Sequence, residues 1–366
     1  PILHVEIWNE PNFQYMIPDD SSRPRQELAA EREALYAKVL PAAYKAIKAK
    51  WPEVQVVGFG AGGASAGDIR FIHNVHEMNP RGAESYDILS THPYVRPVPP
   101  EVNSVRSWGS YSVARSLHAI RNILDRHGRA DAPIWYTEVG WTISHEAGGF
   151  YEDSGAGNTH VTPLLQAAYV TRMYALALRL GVGRVTIMFA SDTDNFNGGF
   201  FNRDGTWRPS AHAVQTMRTV LPNPRLIGAI SDGRDGYYAY RFDPGMESGN
   251  PSAAPVIMAY NVTGPKKVTM PVDAPRVEII DMPMWRPSRR MIKFSAKIKG
   301  NKNIIPLSLY FLFGCFLTSP LVAEKNRIIL LLPLLVLQLL KTLEFPLFIS
   351  NQGRFCYSRT TLSKNF

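Results

Sequence analysis

Residues 2–12 read Ile2-Leu3-His4-Val5-Glu6-Ile7-Trp8-Asn9-Glu10-Pro11-Asn12. An apolar-polar alternation of this kind is a β-strand signal. The pleat sends His4, Glu6, Trp8 and Glu10 to one face and Leu3, Val5 and Ile7 to the other. A strand with aliphatics on one side and acids and aromatics on the other suits a barrel wall, with the aliphatic face on helices and the polar face inward. Pro11 biases Glu10 to extended backbone, so the strand should end with this carboxylate at its C-terminal rim.

Outward from that strand the pattern alternates. Helices are predicted at 25–51, 68–78, 112–127, 163–180 and 209–221, and strands at 55–59, 86–91, 133–139 and 184–190. The first helix carries Leu28, Leu35, Val39, Ala43 and Ile47 on one stripe, with Pro41 expected to kink or restart it. Asp68 is the expected cap of the second. Val113, Leu117, Ile120 and Leu124 face inward on the third, and Gly181 closes the fourth. Five strand–helix units imply a parallel sheet, either closed as a barrel or open and doubly wound. A complete (β/α)8 barrel takes about 250 residues, so the five units in 1–224 fit strands four to eight of one. From 225 to 284 short β runs separated by turns predict a small all-β domain.

The stretch Trp135-Tyr136-Thr137-Glu138-Val139-Gly140-Trp141 repeats the arrangement, with Glu138 ending a strand among aromatics and Tyr136 on its face. Tryptophan is the side chain that most often stacks on sugar rings. Two carboxylates facing one bond are what glycoside hydrolysis needs, one to protonate the leaving oxygen and one to attack carbon or activate water.

These strings resemble those of the clan A retaining glycoside hydrolases, (β/α)8 barrels, and look most like families 39 and 5, with some likeness to family 51. The likeness covers roughly 1–222. It implies that Glu10, after Asn9 at the end of strand four, is the acid/base and that Glu138, ending strand seven, is the nucleophile. Counting residues 2–8 as strand four independently makes 133–139 strand seven. The resemblance further implies that Asn9 bonds the sugar 2-hydroxyl, that His92 and Tyr94 of Ser90-Thr91-His92-Pro93-Tyr94 touch sugar or position the nucleophile, and that Trp8 and Trp141 lie at the site. A Tyr hydroxyl near Glu138 should help keep it ionised. A retaining pair sits about 5–5.5 Å apart, an inverting pair about 6.5–9.5 Å. The chain departs from the clan in lacking strands one to three and an Arg from strand two, which leaves Glu6 short of a partner. It also lacks a Trp ending strand eight, where Phe189 or Trp207 would have to serve as platform.

The expected partner is therefore a poly- or oligosaccharide, with no cofactor and no metal. As written the piece is expected to be inactive. The chain opens on Pro1 inside a strand-like run, which reads as a fragment whose start, with any targeting signal, is missing. The parent is expected to be extracellular or periplasmic. A barrel that binds glycan without cleaving it is the second reading.

Charge excludes a nucleic-acid groove. The net +9 arises in residues 285–366, which carry 13 Lys/Arg and 2 Asp/Glu, leaving 27 basic and 29 acidic residues before them. Both cysteines, Cys315 and Cys356, lie in the same tail, so the body has no disulfide. The tail's apolar stretches at 304–323 and 328–340 read either as a membrane anchor or as sequence foreign to the fold. Only if the tail is genuine is a membrane a partner. The rival class is dinucleotide-binding, from Gly58-Phe59-Gly60-Ala61-Gly62-Gly63. Four intervening residues before the next helix count against it and favour a rim loop. His73, His76 and Glu77 are expected to face solvent for want of a third ligand. Asp192 to Gly198 reads as a substrate-side loop rather than a calcium loop. Asn261-Val262-Thr263 is a glycosylation sequon, and Trp108, Tyr111, Phe150 and Tyr151 fall in rim loops.

Overall fold

The computed structural model describes residues 2–79, 85–95, 97–103, 111–143, 160–193, 196–245 and 255–262, and strand segments at 266–272, 277–279, 290–292, 305–311 and 328–329. Trp108, Phe150, Tyr151, both cysteines and most of both apolar tail stretches lie outside the described residues.

Strands β1 (His4–Glu6), β2 (Gln55–Gly62), β3 (Ile88–His92), β4 (Ile134–Val139) and β5 (Arg184–Ile187) alternate with α1 (Arg25–Lys50), α2 (Ala66–Met78), α3 (Val113–Arg126), α4 (Pro163–Leu180) and α5 (Pro209–Val220). The five strands are parallel, in the order 1-2-3-4-5. An unbroken sequential order is an arc of a barrel, because a doubly wound sheet reverses its order at a switch point. The fold is therefore a partial (β/α) barrel. Among the described residues no helix is long and apolar enough to cross a membrane.

On the central strands the outer face is aliphatic and buried under helices, with Val56, Leu89 and Ile134 in the main core, while Val5 of β1 and Val185 of β5 pack half-buried at its edges. On α3 the predicted inward residues Val113, Leu117, Ile120 and Leu124 are all buried. Of the stripe expected on α1, Leu28 is buried and Val39, Ala43 and Ile47 pack half-buried on the core, while Leu35 is 39% exposed. Tyr36 and Leu40 are buried beside that stripe. The Tyr36 hydroxyl donates to the Ile7 carbonyl (3.0 Å) and accepts from Phe59 N–H (2.7 Å). One phenol thus ties α1 to β2 and to the residue that follows β1. The helix runs on through Pro41 without restarting, anchored by buried contacts on both sides.

Helix α2 begins at Ala66 with Ser65, not Asp68, as its cap. Ser65 and Asp68 form a reciprocal capping box. Helix α4 ends at left-handed Gly181 (φ 72°), as its sequence predicts.

Beyond α5, strands β6 (Arg225–Asp232), β7 (Tyr237–Asp243) and β8 (Val256–Asn261) form an antiparallel sheet. Tyr240, Phe242, Val256, Met258 and Tyr260 pack on Ala168, Ala175, Met217 and Leu221 of the last two helices and the turn after them. Asn261 is buried in this sheet (1% exposed), so its sequon does not present an accessible acceptor.

Candidate active site

The carboxyl ends of four neighbouring strands converge on one cluster of acids. Glu10 follows β1, Gly62 ends β2, His92 ends β3 and Glu138 is the penultimate residue of β4. The backbone that delivers Glu10 is not the extended one that Pro11 suggests. Trp8 and Glu10 both adopt left-handed φ (71° and 45°), as does Phe59 opposite them (83°). Such conformations cost about 1–3 kcal/mol each and persist only where surroundings over-determine them. Here the Glu10 N–H donates to the Gly60 carbonyl (3.0 Å) and the Glu10 carbonyl accepts from Phe13 N–H (2.9 Å). These longer-range bonds override the local proline preference.

The glycine string is part of β2, not a loop beyond it, and its role is to leave room. A Cβ on Gly62 would stand 2.5 Å from Phe13 Cε2 and 2.6 Å from Glu10 Oε1. Asn12 fastens the two segments together. Its amide donates to the Gly62 carbonyl (2.8 Å) and to Asp68 (3.1 Å), and its oxygen accepts from Gly62 N–H (2.9 Å). Burial, against hydrogen bonds from Ser65 and Asn12, pushes the Asp68 carboxyl up to about 6.

Glu138 reaches the cluster by a register shift. His4 stacks near Trp135 (4.8 Å between rings), and Thr137 donates to Glu6 Oε1 (2.7 Å). Trp135 and Thr137 therefore share the inner face, and Tyr136 lies on the outer one, fully buried among core residues. Strict alternation would send Glu138 outward with Tyr136. The pairing of β4 with β5 slips between Tyr136 and Val139, and a bulge of this kind re-aims a side chain, so Thr137 and Glu138 both enter the site.

His92 is fully buried between the acids. Its Nδ1 lies 3.0 Å from Glu10 Oε1 and 3.7 Å from Glu138 Oε2, and its Nε2 lies 3.1 Å from Thr137 Oγ1. One donor atom from each of Glu10, His92 and Glu138 falls within 4.8 Å of the others. Tyr94 donates to Glu138 Oε2 (3.0 Å), with Met188 Sδ 2.9 Å from the same hydroxyl. Glu10 and Glu138 keep 13% and 26% of their side-chain surface open, enough to be reached from outside. The proton inventory is constrained. The hydroxyl proton of Thr137 goes to Glu6, so Thr137 accepts from His92 Nε2–H. The 3.0 Å contact of Nδ1 with Glu10 Oε1 then shares a single proton between imidazole and carboxylate.

Glu138 stands above the ordinary carboxylate range, because burial outweighs the His92 and Tyr94 contacts, while Glu10 and Glu6 push the same way. The Tyr hydroxyl does help the ionised form, as the sequence predicts, but it does not win. Glu6 has a partner after all in Thr137.

Of the other predicted contacts, Asn9 and Trp8 lie beside Glu10 and are exposed, Trp8 at 48% with its indole N–H on the Tyr15 carbonyl. Trp141 is corrected. It is fully buried, donates to the Val98 carbonyl (2.9 Å) and packs edge-on to Tyr169, so it is a core residue and offers no sugar platform. Phe189 is half-buried and edge-on to Phe196. Trp207 is 47% exposed and stands against Phe201 and His212. In the loop from Asp192, both Asp192 and Asn197 hold the buried Arg208 guanidinium, which ties those two residues to the fold. Sequence reading missed Thr137, Asn12 and Gly62. The closing Asn of the Trp-Asn-Glu-Pro-Asn string and the run of glycines were the available signals.

No protein-family model matches the chain, and no curated protein matches it. Solved structures do. A family 39 glycoside hydrolase from Bacteroides cellulosilyticus WH2 aligns over 86% of this chain and 56% of its own, with 20% identity and a TM-score of 0.55. A family 51 α-L-arabinofuranosidase from Bifidobacterium longum (11% identity, TM-score 0.50) covers 86% of this chain and 66% of its own. An α-L-arabinofuranosidase from Thermotoga maritima (11%, 0.50) covers 86% and 63%. The chain thus spans just over half the length of the family 39 structure it resembles. Over most of its described length it has the barrel fold on which these glycoside hydrolases are built.

Proposed function

We propose that this chain carries the catalytic pair of a retaining O-glycoside hydrolase acting on a poly- or oligosaccharide, with Glu10 as acid/base and Glu138 as nucleophile. The observation that carries the reading is the approach of the two carboxylates to within 4.8 Å, around His92, at the carboxyl rim of a parallel barrel arc. Barrel enzymes work at that rim, and the near approach of one oxygen from each acid is our reason for reading double displacement, which brings the carboxyl groups to about 5–5.5 Å, rather than inversion, which holds them about 6.5–9.5 Å apart to admit water. Taking β1 as strand four and β4 as strand seven of a full barrel agrees with the three-strand interval between the acids.

In the first step a Glu138 oxygen bonds to the anomeric carbon while the bond to the leaving oxygen breaks, and that oxygen takes the Glu10 proton. In the second, Glu10 removes a proton from water as the water oxygen bonds to the anomeric carbon, and the ester to Glu138 breaks. Both acids return to their starting state. The Glu6–Thr137–His92 chain fixes the ring whose Nδ1 meets Glu10, and Tyr94 supports the anionic Glu138. Exposed Trp8 is the platform within reach of the acid/base, and Asn9 is the candidate for the 2-hydroxyl.

The test is mechanism-based labelling. In the full-length parent, a 2-deoxy-2-fluoro glycosyl fluoride should leave a covalent adduct on the peptide containing Glu138, read by mass spectrometry. Adduct on another residue, or product released with inverted anomeric configuration, overturns the assignment.

A further inference from the structure

Away from the rim, α2 and the end of α3 bring together two imidazoles and a carboxylate that sugar chemistry does not use. His73 and Glu77 stand four apart on α2, so one helical turn puts them on the same face. His127 is the C-cap residue of α3. Its Nε2 lies 3.3 Å from Glu77 Oε1, and His73 Nδ1 lies 3.8 Å from the same oxygen. The three donor atoms all fall within 4.8 Å of one another. The sequence shows only the α2 pair, because the third member comes from the next strand–helix unit.

The second observation concerns the two ring nitrogens. His73 Nδ1 and His127 Nε2 are both shut off from solvent and make no hydrogen bond. Both face the same Glu77 oxygen without bonding it, and two buried donors around one carboxylate are satisfied together by a shared cation. A tetrahedral cation with bonds of about 2.0–2.2 Å needs donors roughly 3.3–3.6 Å apart, and the two separations from Glu77 lie at or just beyond that range. Neighbouring His76 is excluded as a ligand. Its Nδ1 lies 2.6 Å from the Ile72 carbonyl and its Nε2 2.9 Å from the Tyr86 hydroxyl.

We propose that His73, Glu77 and His127 form a divalent transition-metal site of the zinc type that clips α2 to α3. Two nitrogen donors with one carboxylate select a borderline ion such as Zn²⁺ over Mg²⁺ or Ca²⁺, which take oxygen ligands. The exposed side of Glu77 (60%) leaves the fourth position for water.

The full chain, stripped with EDTA, is titrated with Zn²⁺ against a chromophoric chelator and separately with Co²⁺ as an absorbing probe. The expected result is one equivalent bound, a tetrahedral Co²⁺ spectrum and an unfolding midpoint raised by Zn²⁺. Glu77→Gln and His127→Ala should each weaken binding at least about tenfold, and His118→Ala, at an exposed position on α3, should not. Where His127→Ala impairs folding, Glu77→Gln and His73→Ala decide. Undiminished binding in either, absence of binding in the parent chain, or loss of binding only in Glu10→Gln overturns the site.

Discussion

Glu138 is held between opposing influences. Burial raises its carboxyl above the usual range, and the Tyr94 hydroxyl and His92 pull it back. Removing the hydroxyl in Tyr94→Phe should therefore raise it further and, on the proposed mechanism, move the acidic limb of the kcat/KM profile to higher pH, since less of Glu138 is ionised at a given pH. The same shift bears on stability. A carboxyl raised in the folded state binds its proton more tightly there than in the unfolded chain. Stability is then lost as pH rises from the ordinary carboxylate range through the raised one. Glu138→Gln should accordingly melt higher than the parent at neutral pH and lose that advantage in acid, by calorimetry at the two pH values. Glu10→Gln should slow turnover by about 10²–10⁴-fold on glycosides with poor leaving groups and far less on activated aryl glycosides. Both acids are legible in the sequence because each ends an apolar run beside aromatics. The left-handed backbone of Trp8 and Glu10 is not, because the Gly60 carbonyl that holds Glu10 lies fifty residues away. Nor is the burial of Trp141, since nothing local distinguishes a platform indole from a core one.

At the scale of elements, β2 and α2 make the clearest case. The glycines of β2 resemble a phosphate-binding turn when read as a string, yet they are strand residues, and Gly62 leaves the room that the Glu10 carboxylate occupies. Gly62→Ala should leave the circular dichroism spectrum unchanged while displacing Glu10. A misplacement of this order costs about 10²-fold in rate, measurable as kcat on an aryl glycoside. The capping box of α2 gives a separable effect. Ser65→Ala should destabilise by about 1 kcal/mol in denaturant unfolding, even though Asp68 looks the better cap from sequence alone. The error there is one of position within a single motif, because a box needs both members three residues apart. Helix periods were readable wherever aliphatics dominate, as on α3. On α1 the stripe held except at Leu35, whose place inside is taken by Tyr36, because a tyrosine hydroxyl that bonds two backbone groups is invisible to hydrophobic periodicity.

For the whole molecule, the five strand–helix units and the change to antiparallel sheet after residue 224 follow from spacing alone, and the strand order settles barrel over open sheet. What spacing does not reveal is how firmly the two parts are joined. Arg172 of α4 and Glu101, from the segment after β3, form an ion pair with 3% and 1% of their side chains exposed. Arg172 also lies 5.0 Å from the ring of Tyr260 in β8. Removing one member of a buried pair strands the other, at about 3–5 kcal/mol. Glu101→Ala should lower the urea midpoint and loosen the antiparallel sheet in the same transition, seen as coincident tyrosine fluorescence and far-ultraviolet signals.

The arc has two ends. Among the described residues β1 is paired only with β2, and Ile2 and Leu3 just before it are 76% and 53% exposed. Backbone groups on an uncovered rim recruit whatever extended peptide comes near. An extended peptide supplied in trans should therefore slow amide exchange at residues 4–6 of this chain, and leave that of the central β3 unchanged.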